Sequence, residues 1–244
     1  MIISHYSSTG RRDNNEDHFD IKTPTDDNPY YYIGLYDGHG GDFVSKYLKD
    51  NIKLPQDVNI QSLQKMVTDI QDDLTTNHAD KIQKCGSTLL ACVISDKDFF
   101  TINLGDSRMI ADIDNKAHQL TRDHKPSDNY EKERINKIDG GNALLHYDQS
   151  DDEFRVGALS VSKGIGDLDT KPFFSHIPAI AQYKLNHNYN KIIMGCDGIW
   201  DVVKNQEAID HVNTFDESKQ AKELSRLAFK KKSYDNLTAI VINI

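Results

Sequence analysis

The sequence predicts an α+β fold in which antiparallel sheets are layered with helices. Strand-like segments are short and numerous, and several of them follow one another at hairpin distance, which favours antiparallel pairing. Helical patterns lie between groups of strands and do not follow every strand. A parallel, doubly wound sheet is therefore the weaker alternative.

The predicted strands are rich in β-branched or aromatic residues and are bounded by turn residues. They cover residues 30–36, 87–95, 99–105, 108–113, 191–196 and 237–244. The strands between residues 87 and 113 are separated by short connections, so we expect them to pair as hairpins.

Three segments carry apolar residues at the spacing that lines one face of a helix. They are residues 41–52, 59–74 and 216–232. Asn59 is the expected N-cap residue of the second helix. The third segment has acidic residues at its start and lysines at its end, an arrangement that the helix dipole favours. Each helix therefore has one face suited to packing on a sheet.

The composition excludes several classes of function. The 244 residues carry a formal net charge of −9, and the pI is near 5.5. Basic residues are scattered apart from Lys230, Lys231 and Lys232, so the sequence lacks the basic face of a nucleic-acid-binding protein. No run of about 18 apolar residues predicts a membrane span, and the N-terminus lacks the pattern of a secretory signal. We expect a cytoplasmic location by default, with nuclear or host-delivered destinations left open.

Four aspartates occur where an apolar strand begins or ends: Asp37, Asp106, Asp197 and Asp235. One such residue alone is usually part of a turn or a helix cap. Four of them are harder to explain in that way, because strand ends converge in space and unpaired carboxylates repel each other unless a cation neutralises them. A ligand set made only of oxygen atoms predicts Mg²⁺ or Mn²⁺, with Ca²⁺ as the weaker alternative, over zinc.

The first of these aspartates opens the stretch "DGHGG", which runs from Asp37 to Gly41. Taken alone, the stretch reads as a turn, because its glycines permit positive φ angles. As part of a metal site it would instead supply Asp37 as a ligand, an uncrowded backbone at Gly38, and an imidazole, His39, that can move protons.

A second acidic stretch, "RRDNNEDHFD", begins like an EF-hand loop. The match fails because its sixth position is His18 where a glycine is needed, and its twelfth is Pro24 where a bidentate glutamate is needed. Two interpretations remain. The stretch is either a solvated charged loop or, if it lies beside Asp37, a loop in which Arg12 grips an anion and Glu16 orients metal-bound water.

Taken in order, eight stretches resemble the metal-dependent Ser/Thr protein phosphatases of the 2C type. They are "RRDNNEDHF", "LYDGHGG", "CGSTLLACVI", "INLGDSR", "LTRDHKPSDNYEKERINKIDGG", "ALSVSKGIGD", "IIMGCDGIWDVV" and "SYDNLTAIVI". The resemblance implies a four-layer α-β-β-α sandwich, in which two antiparallel sheets are flanked by antiparallel helix pairs. It also implies a single catalytic domain over residues 1–244, with a metal site at one end of the sandwich.

The same resemblance implies a ligand set for two ions of Mg²⁺ or Mn²⁺. Asp37 would bridge both ions and the Gly38 carbonyl would bind one of them. Asp197 and Asp235 would bind the other ion. Asp106, together with Asp197, matches the position of a weaker third ion in some members of the family.

Catalytic roles also follow from the resemblance. Arg12 corresponds to an arginine that grips phosphate, Glu16 to a residue that contacts metal-bound water, and His39 to a proposed general acid. In that mechanism a hydroxide bridging two ions about 4 Å apart attacks phosphorus directly. Arg12 binds the phosphoryl oxygens and stabilises their negative charge, and His39 protonates the leaving alkoxide. We expect phosphoserine and phosphothreonine proteins as substrates, no nucleic-acid or membrane partner, and a monomer.

Three features bear on alternative functions. Lys163 stands where many relatives carry an arginine, which leaves substrate preference open. A D-x-H sequence also opens the metallophosphoesterase site of the calcineurin type, but the later motifs of that family are missing here. A catalytically silent relative that uses the fold for binding is the alternative from another class, and the presence of every expected ligand disfavours it.

Overall fold

The structure is a computed structural model that describes residues 1–149, 152–186 and 188–244. It contains two five-stranded antiparallel sheets. Sheet A contains, in spatial order, β1 (Ile2–Ser8), β15 (Leu237–Asn243), β14 (Tyr189–Gly195), β8 (Arg108–Ile113) and β9 (Lys116–Gln119). Sheet B contains β13 (Ala179–Lys184), β7 (Asp98–Leu104), β6 (Leu89–Ile94), β3 (Tyr31–Tyr36) and β2 (His18–Lys22).

Two smaller β-structures accompany these sheets. Sheet C is three-stranded, with β5 (Gly86–Ser87) in the centre, β4 (Gly38–His39) on one side and β12 (Ile165–Gly166) on the other. A separate hairpin pairs β10 (Leu145–Asp148) with β11 (Glu153–Val156).

The helices of the described residues cover the outer faces of the two large sheets and part of the connections. They are α1 (Phe43–Asn51), α2 (Ile60–Asn77), α3 (Asn129–Asn136), α4 (Gly141–Leu144), α5 (Asp197–Trp200), α6 (Asn205–Val212) and α7 (Gln220–Lys230). The Asn59 side chain accepts a hydrogen bond of 2.9 Å from the Ser62 backbone N–H, so Asn59 is the N-cap of α2 as predicted. Among the described residues, no helix combines the length and the apolar composition that a membrane span requires.

The core has two parts because the strands of sheet B are buried on both faces. In β3, Ile33 and Leu35 pack with sheet A, and they share that cluster with apolar residues of α6 and α7. The alternate residues Tyr32 and Tyr36 pack with α1 and α2 on the other side. Burial on both faces explains why the sequence shows continuous apolar runs here and not a simple alternation.

The four-layer α-β-β-α arrangement expected from the sequence is confirmed, and its layers are α1/α2, sheet B, sheet A and α6/α7. One boundary differs. The predicted strand 87–95 is divided into β5 and β6 at Thr88, whose backbone N–H donates to the Asp37 carbonyl at 2.9 Å. The Thr88 hydroxyl accepts a hydrogen bond of 3.1 Å from the Asp37 N–H. The interruption therefore serves to hold Asp37.

Candidate active site

The strand register brings the ends of several strands to one end of the sandwich. In sheet A, the last residue of β14, Gly195, pairs with Ala239 near the start of β15 and with Arg108 at the start of β8. In sheet B, the first residue of β6, Leu89, pairs with Leu104 at the end of β7. The polar residues that follow or precede these strands therefore meet at the same end.

A pocket of about 490 Å³ lies at this end. All eight residues that the sequence singles out as metal ligands or catalytic groups line it: Arg12, Glu16, Asp37, Gly38, His39, Asp106, Asp197 and Asp235. Arg12 and Glu16 come from the loop after β1, and the others flank β3, β7, β14 and β15. The structure thus brings these positions together, while their individual roles stay predictions.

The carboxylates of the pocket raise one another's pKa. Burial, and then the nearby charge of Asp197 and Asp17, holds the pKa of Asp37 well above its usual range. Burial, and then the charge of Asp106, does the same to Asp197. Burial also raises the pKa of Asp106 to about 6, against the opposing effect of the Lys125 ammonium. The protein alone therefore disfavours full ionisation of this cluster.

Asp17 is a member of this cluster that the sequence did not single out. Its side chain is buried, and a carboxylate oxygen of Asp17, one of Asp37 and the Cys196 sulfur lie within 4.8 Å of one another. Burial raises the pKa of Asp17 to about 6. The signal in the sequence was its place directly after Glu16 and just before β2, but nothing there distinguished a buried aspartate from a solvated one.

The loop that carries Arg12 and Glu16 is fixed beside the pocket by one amide side chain. Asn236, next to Asp235, accepts a hydrogen bond of 2.8 Å from the Glu16 N–H through its Oδ1 atom. Its Nδ2 group donates to the carbonyls of Thr9 at 3.0 Å and Asn14 at 2.8 Å. The charged loop therefore lies next to the ligand positions, which is the condition under which the sequence favours a functional loop over a solvated one.

The arrangement around Gly38 shows how closely this loop approaches. A Cβ atom at Gly38 would lie 2.5 Å from the Glu16 carbonyl oxygen and 2.7 Å from the Ser45 Oγ atom. A larger residue would push the loop away from the pocket. The glycine thus leaves room for the Arg12 loop and keeps its own carbonyl uncrowded by a side chain.

Arg12 and His39 each pair with a carboxylate. The Arg12 Nη2 atom lies 2.7 Å from Asp235 Oδ2, with 60% of the arginine side chain exposed. The His39 Nε2 atom lies 2.7 Å from Asp167 Oδ2. Burial lowers the pKa of His39, but the hydrogen bond and charge of Asp167 outweigh it, so the pKa is raised. Asp167 belongs to the stretch "GIGD", for which the sequence indicates only a structural role.

Lysines 125 and 163 contact acidic groups in two different places. The Lys125 Nζ atom lies 3.7 Å from Asp106 Oδ2 and 2.9 Å from Asp201 Oδ1, so it contacts the acidic cluster although it does not line the pocket. The Lys163 Nζ atom lies 3.6 Å from Oε1 of Glu131, which is buried on α3. Lys163 is also absent from the residues that line the pocket, and its positive charge offsets the negative charge of Glu131.

The donor set suits hard divalent cations. Asp17 and Asp106 are buried, and the two Asp17 oxygens and the Asp106 Oδ2 atom lack a hydrogen bond of normal geometry within the described part of the chain. Buried carboxylates normally have hydrogen-bond or charge partners. Carboxylate and carbonyl oxygens are the ligands that Mg²⁺ and Mn²⁺ prefer. The residues present therefore fit a divalent metal site.

Comparisons with known proteins agree with this fold and show the family. The family model for Protein phosphatase 2C matches residues 4–237. Probable protein phosphatase 2C 45 of Oryza sativa subsp. japonica is 33% identical, and the match covers 97% of this chain and 85% of that protein. Probable protein phosphatase 2C member 13, mitochondrial, of the same organism is 32% identical over 97% of this chain and 67% of that protein.

Among solved structures, the serine-threonine phosphatase 2C from Toxoplasma gondii superposes with a TM-score of 0.84. Its sequence is 21% identical, and the superposition covers 99% of this chain and 94% of that chain, so it supports the fold. The chain belongs to the protein phosphatase 2C family and is a protein serine/threonine phosphatase. Members of this family are generally dependent on magnesium or manganese.

Proposed function

We propose that residues 1–244 form one catalytic domain that hydrolyses phosphoserine and phosphothreonine in proteins by direct attack of water on phosphorus. The proposal rests on one observation: carboxylates with raised pKa values converge in a pocket that Arg12 and His39 also line. Within the described residues, no cysteine lies in this pocket, and the three cysteines are buried. A mechanism without a cysteinyl intermediate is therefore favoured.

The metal ligands of the proposal are the Asp37 carboxylate, the Gly38 carbonyl, Asp197 and Asp235, which would hold two ions of Mg²⁺ or Mn²⁺. Bound cations would neutralise these carboxylates and activate a water molecule for attack on phosphorus. Asp106 would contribute, with Asp197, to a weaker third position. Glu16, on the loop fixed by Asn236, would orient water beside the ions.

Arg12 binds the phosphoryl group in this proposal. Its guanidinium lies at the pocket and is largely exposed, so it can form a two-point contact with phosphoryl oxygens. The hydrogen bond to Asp235 keeps the side chain near the pocket before substrate arrives. As charge builds up on the phosphoryl oxygens, the fixed positive charge of Arg12 stabilises the transition state.

His39 protonates the leaving group in this proposal. The alkoxide of serine or threonine is a poor leaving group, so it benefits from a proton donor in the transition state. As the bond between phosphorus and the side-chain oxygen breaks, His39 gives its proton to that oxygen and becomes neutral. Solvent then returns a proton to the imidazole before the next turnover.

Metal-dependent phosphate release from a phosphothreonine peptide tests the function. We expect activity with Mn²⁺ or Mg²⁺, loss on chelation, and recovery when the ion is added back. Asp37→Asn and Asp197→Asn should each lower kcat/KM by on the order of 10²-fold or more, because even outer partners of metal ligands matter at that level.

The matched control is Asp69→Asn, which removes an exposed carboxylate on α2 that pairs with Lys65. Circular dichroism should show that all three variants keep the fold. Absence of turnover in the unmodified protein with both ions would contradict the proposal and would favour a role in which this fold only binds its partner.

A further inference from the structure

The carboxylate of Asp167 lies beneath the imidazole of His39. Its Oδ2 atom is 2.7 Å from His39 Nε2, and the Asp167 side chain is only 1% exposed, while that of His39 is 27% exposed. The imidazole therefore lies between the buried carboxylate and the pocket that it lines. Asp167 itself is absent from the lining of the pocket, so it can act on the reaction only through His39.

Sheet C is the frame that brings these two residues together. His39 on β4 and Gly166 on β12 both pair with Gly86, which belongs to the central strand β5. Asp167 follows Gly166 directly. The two partners, 128 positions apart in sequence, thus approach each other across one residue of the middle strand.

The segment that carries Asp167 is held firmly by backbone hydrogen bonds. The Asp167 N–H donates to the Cys85 carbonyl at 3.3 Å, and the Leu168 N–H donates to the Ile82 carbonyl at 3.1 Å. On its other side, the buried Gln71 side chain of α2 accepts a hydrogen bond of 3.0 Å from the Gly166 N–H. Asp167 has a φ angle of 51°, in the left-handed region. This conformation is costly for a residue other than glycine, and the surrounding hydrogen bonds maintain it.

Gly86 provides the space in which the pair forms. A Cβ atom at this position would lie 1.9 Å from Asp167 Oδ2 and 2.6 Å from His39 Nε2. Any side chain at residue 86 would therefore displace the carboxylate, the imidazole or both. The hydrogen bond thus depends on a glycine in the central strand as well as on its two partners.

We propose that Asp167 is a positioning residue for the phosphatase reaction, which holds the protonated His39 imidazole in the orientation needed to pass its Nδ1 proton to the leaving group. The inference rests on the proposed function of His39 as the general acid. With Nε2–H donated to Asp167, the proton that passes to the serine or threonine oxygen is the one on Nδ1. The P–O bond breaks as the new O–H bond forms, and the imidazole is left neutral with its Nε2–H still bonded to Asp167.

A double-mutant cycle tests this inference, with His39→Gln, Asp167→Asn and the double variant as its members. On a phosphothreonine peptide with Mn²⁺, His39→Gln should lower kcat by about 10²-fold or more. Asp167→Asn should lower kcat by roughly 10-fold to 100-fold with little change in KM. In the His39→Gln background, Asp167→Asn should have no further effect, because its influence passes through the imidazole.

An aryl phosphate such as p-nitrophenyl phosphate supplies the second measurement. Its leaving group needs little protonation, so His39→Gln and Asp167→Asn should both leave its hydrolysis nearly unchanged. Asp169→Asn is the matched control, because it removes an exposed carboxylate two residues away that hydrogen-bonds only its neighbour Thr170 among the described contacts. This control should behave like the unmodified protein on both substrates.

The possible results separate the inference from the function on which it rests. An inactive unmodified protein would overturn both. Equal losses on the two substrates in His39→Gln would remove the general-acid role and the inference with it. A selective loss in His39→Gln, accompanied by additive losses in the double variant or by no loss in Asp167→Asn, would leave the function intact and overturn the role of Asp167.

Gly86→Ala tests the same pair without removing either partner. It should reproduce the selective loss of peptide hydrolysis, because the new Cβ atom separates the carboxylate from the imidazole. Ser87→Ala on the same strand is its control, since the Ser87 hydroxyl donates to the Thr88 carbonyl and lies outside the pair. Full peptide activity in a folded Gly86→Ala variant would show that the contact is dispensable and would overturn the inference.

Discussion

At the end of the sandwich opposite the candidate site, the Asp112 carboxylate near the end of β8 is completely buried. The Asn190 Nδ2 group donates to its Oδ1 atom at 3.2 Å, and the Asn213 Nδ2 group donates to its Oδ2 atom at 3.4 Å. Burial lowers the pKa of the buried Lys191, and the nearby charge of Asp112 offsets part of this effect. Each oxygen of this carboxylate thus has a partner within the protein.

By contrast, several buried carboxylate oxygens at the end that carries the candidate site lack a hydrogen bond of normal geometry in the described part of the chain. Asp17 and Asp106 are also buried, but three of their four oxygens lack a hydrogen bond of normal geometry within the described residues. Asp37 and Asp197 lie beside them, and burial together with nearby carboxylates raises the pKa of each. Negative charge at this end therefore accumulates without enough compensation from the protein.

The difference separates a structural carboxylate from a functional one. A buried charge is tolerated when hydrogen bonds and an opposite charge offset the free-energy cost of its desolvation, as they do for Asp112. Buried carboxylates without enough compensating positive charge lower the stability of the fold. They are typical of sites where a bound cation supplies that charge. The comparison predicts that substitutions at the two ends have opposite effects on stability and activity.

The largest effect should come from Asp112→Ala. The substitution removes a completely buried carboxylate together with its hydrogen bonds from Asn190 and Asn213, so we expect a loss of about 1 to 3 kcal/mol in the free energy of unfolding. Urea denaturation measures this loss. The folded variant should keep kcat/KM within a few-fold of the unmodified protein, and a large loss of activity would show that the two ends are not separable in this way.

Asp17→Asn should have the reverse effect. It removes one charge from the acidic cluster, so the metal-free protein should lose no stability on urea denaturation. Because Asp17 lies against Asp37, kcat/KM for a phosphothreonine peptide should fall by roughly 10-fold to 100-fold. A destabilised Asp17→Asn variant with normal activity would mean that this aspartate is structural, as Asp112 is.

His124 shows that ionisable groups near the site can also be kept neutral by burial. Burial lowers its pKa to about 4, and its Nδ1 atom accepts a hydrogen bond of 3.1 Å from the Gly105 N–H. The unfolded chain, with a histidine pKa near 6.5, takes up a proton first as the pH falls. Stability is therefore lost as the pH falls from about 6.5 towards 4, by about 2 kcal/mol between pH 7 and pH 5.

Urea denaturation of the metal-free protein at pH 7 and pH 5 measures this loss, with His124→Gln as the comparison. Glutamine can still accept the Gly105 hydrogen bond and does not titrate, so the variant should lose about 2 kcal/mol less over this interval. The difference between the two proteins removes the contribution of other histidines. The same pH dependence in both proteins would show that His124 does not titrate as proposed.

Most of the fold could be predicted from the sequence where burial leaves a regular pattern. The apolar runs that became β3, β6, β7, β8, β14 and β15 were recognised because these strands are almost entirely buried. The edge strands β1 and β13 were missed because most of their residues are partly exposed, so their composition does not mark them as strands. The helix predicted over 216–232 begins at Gln220, after a 3-10 turn at Glu217–Lys219.

The candidate site could be predicted where a residue follows directly from a strand end. Asp37, Asp197 and Asp235 flank strands that form the centre of the sheets, and resemblance to a known family added their expected roles. Asp17 and Asp167 could not be recognised in the same way. Their importance depends on burial and on contacts with residues far away in the chain, and neither the composition nor the spacing of the sequence reports such contacts.

The smallest predicted effect concerns Lys125, the one described lysine that contacts the acidic cluster. Its ammonium lies 3.7 Å from Asp106 Oδ2, where a third divalent ion would compete with it. Lys125→Gln should therefore strengthen the weakest class of Mn²⁺ binding about tenfold, since removing a nearby positive charge favours a cation. Calorimetric titration with Mn²⁺ measures this change.

Lys163→Gln, which removes a lysine paired with buried Glu131 outside the pocket, should leave Mn²⁺ binding unchanged. If Lys125→Gln also leaves it unchanged, Lys125 is only a structural partner of Asp106 and Asp201.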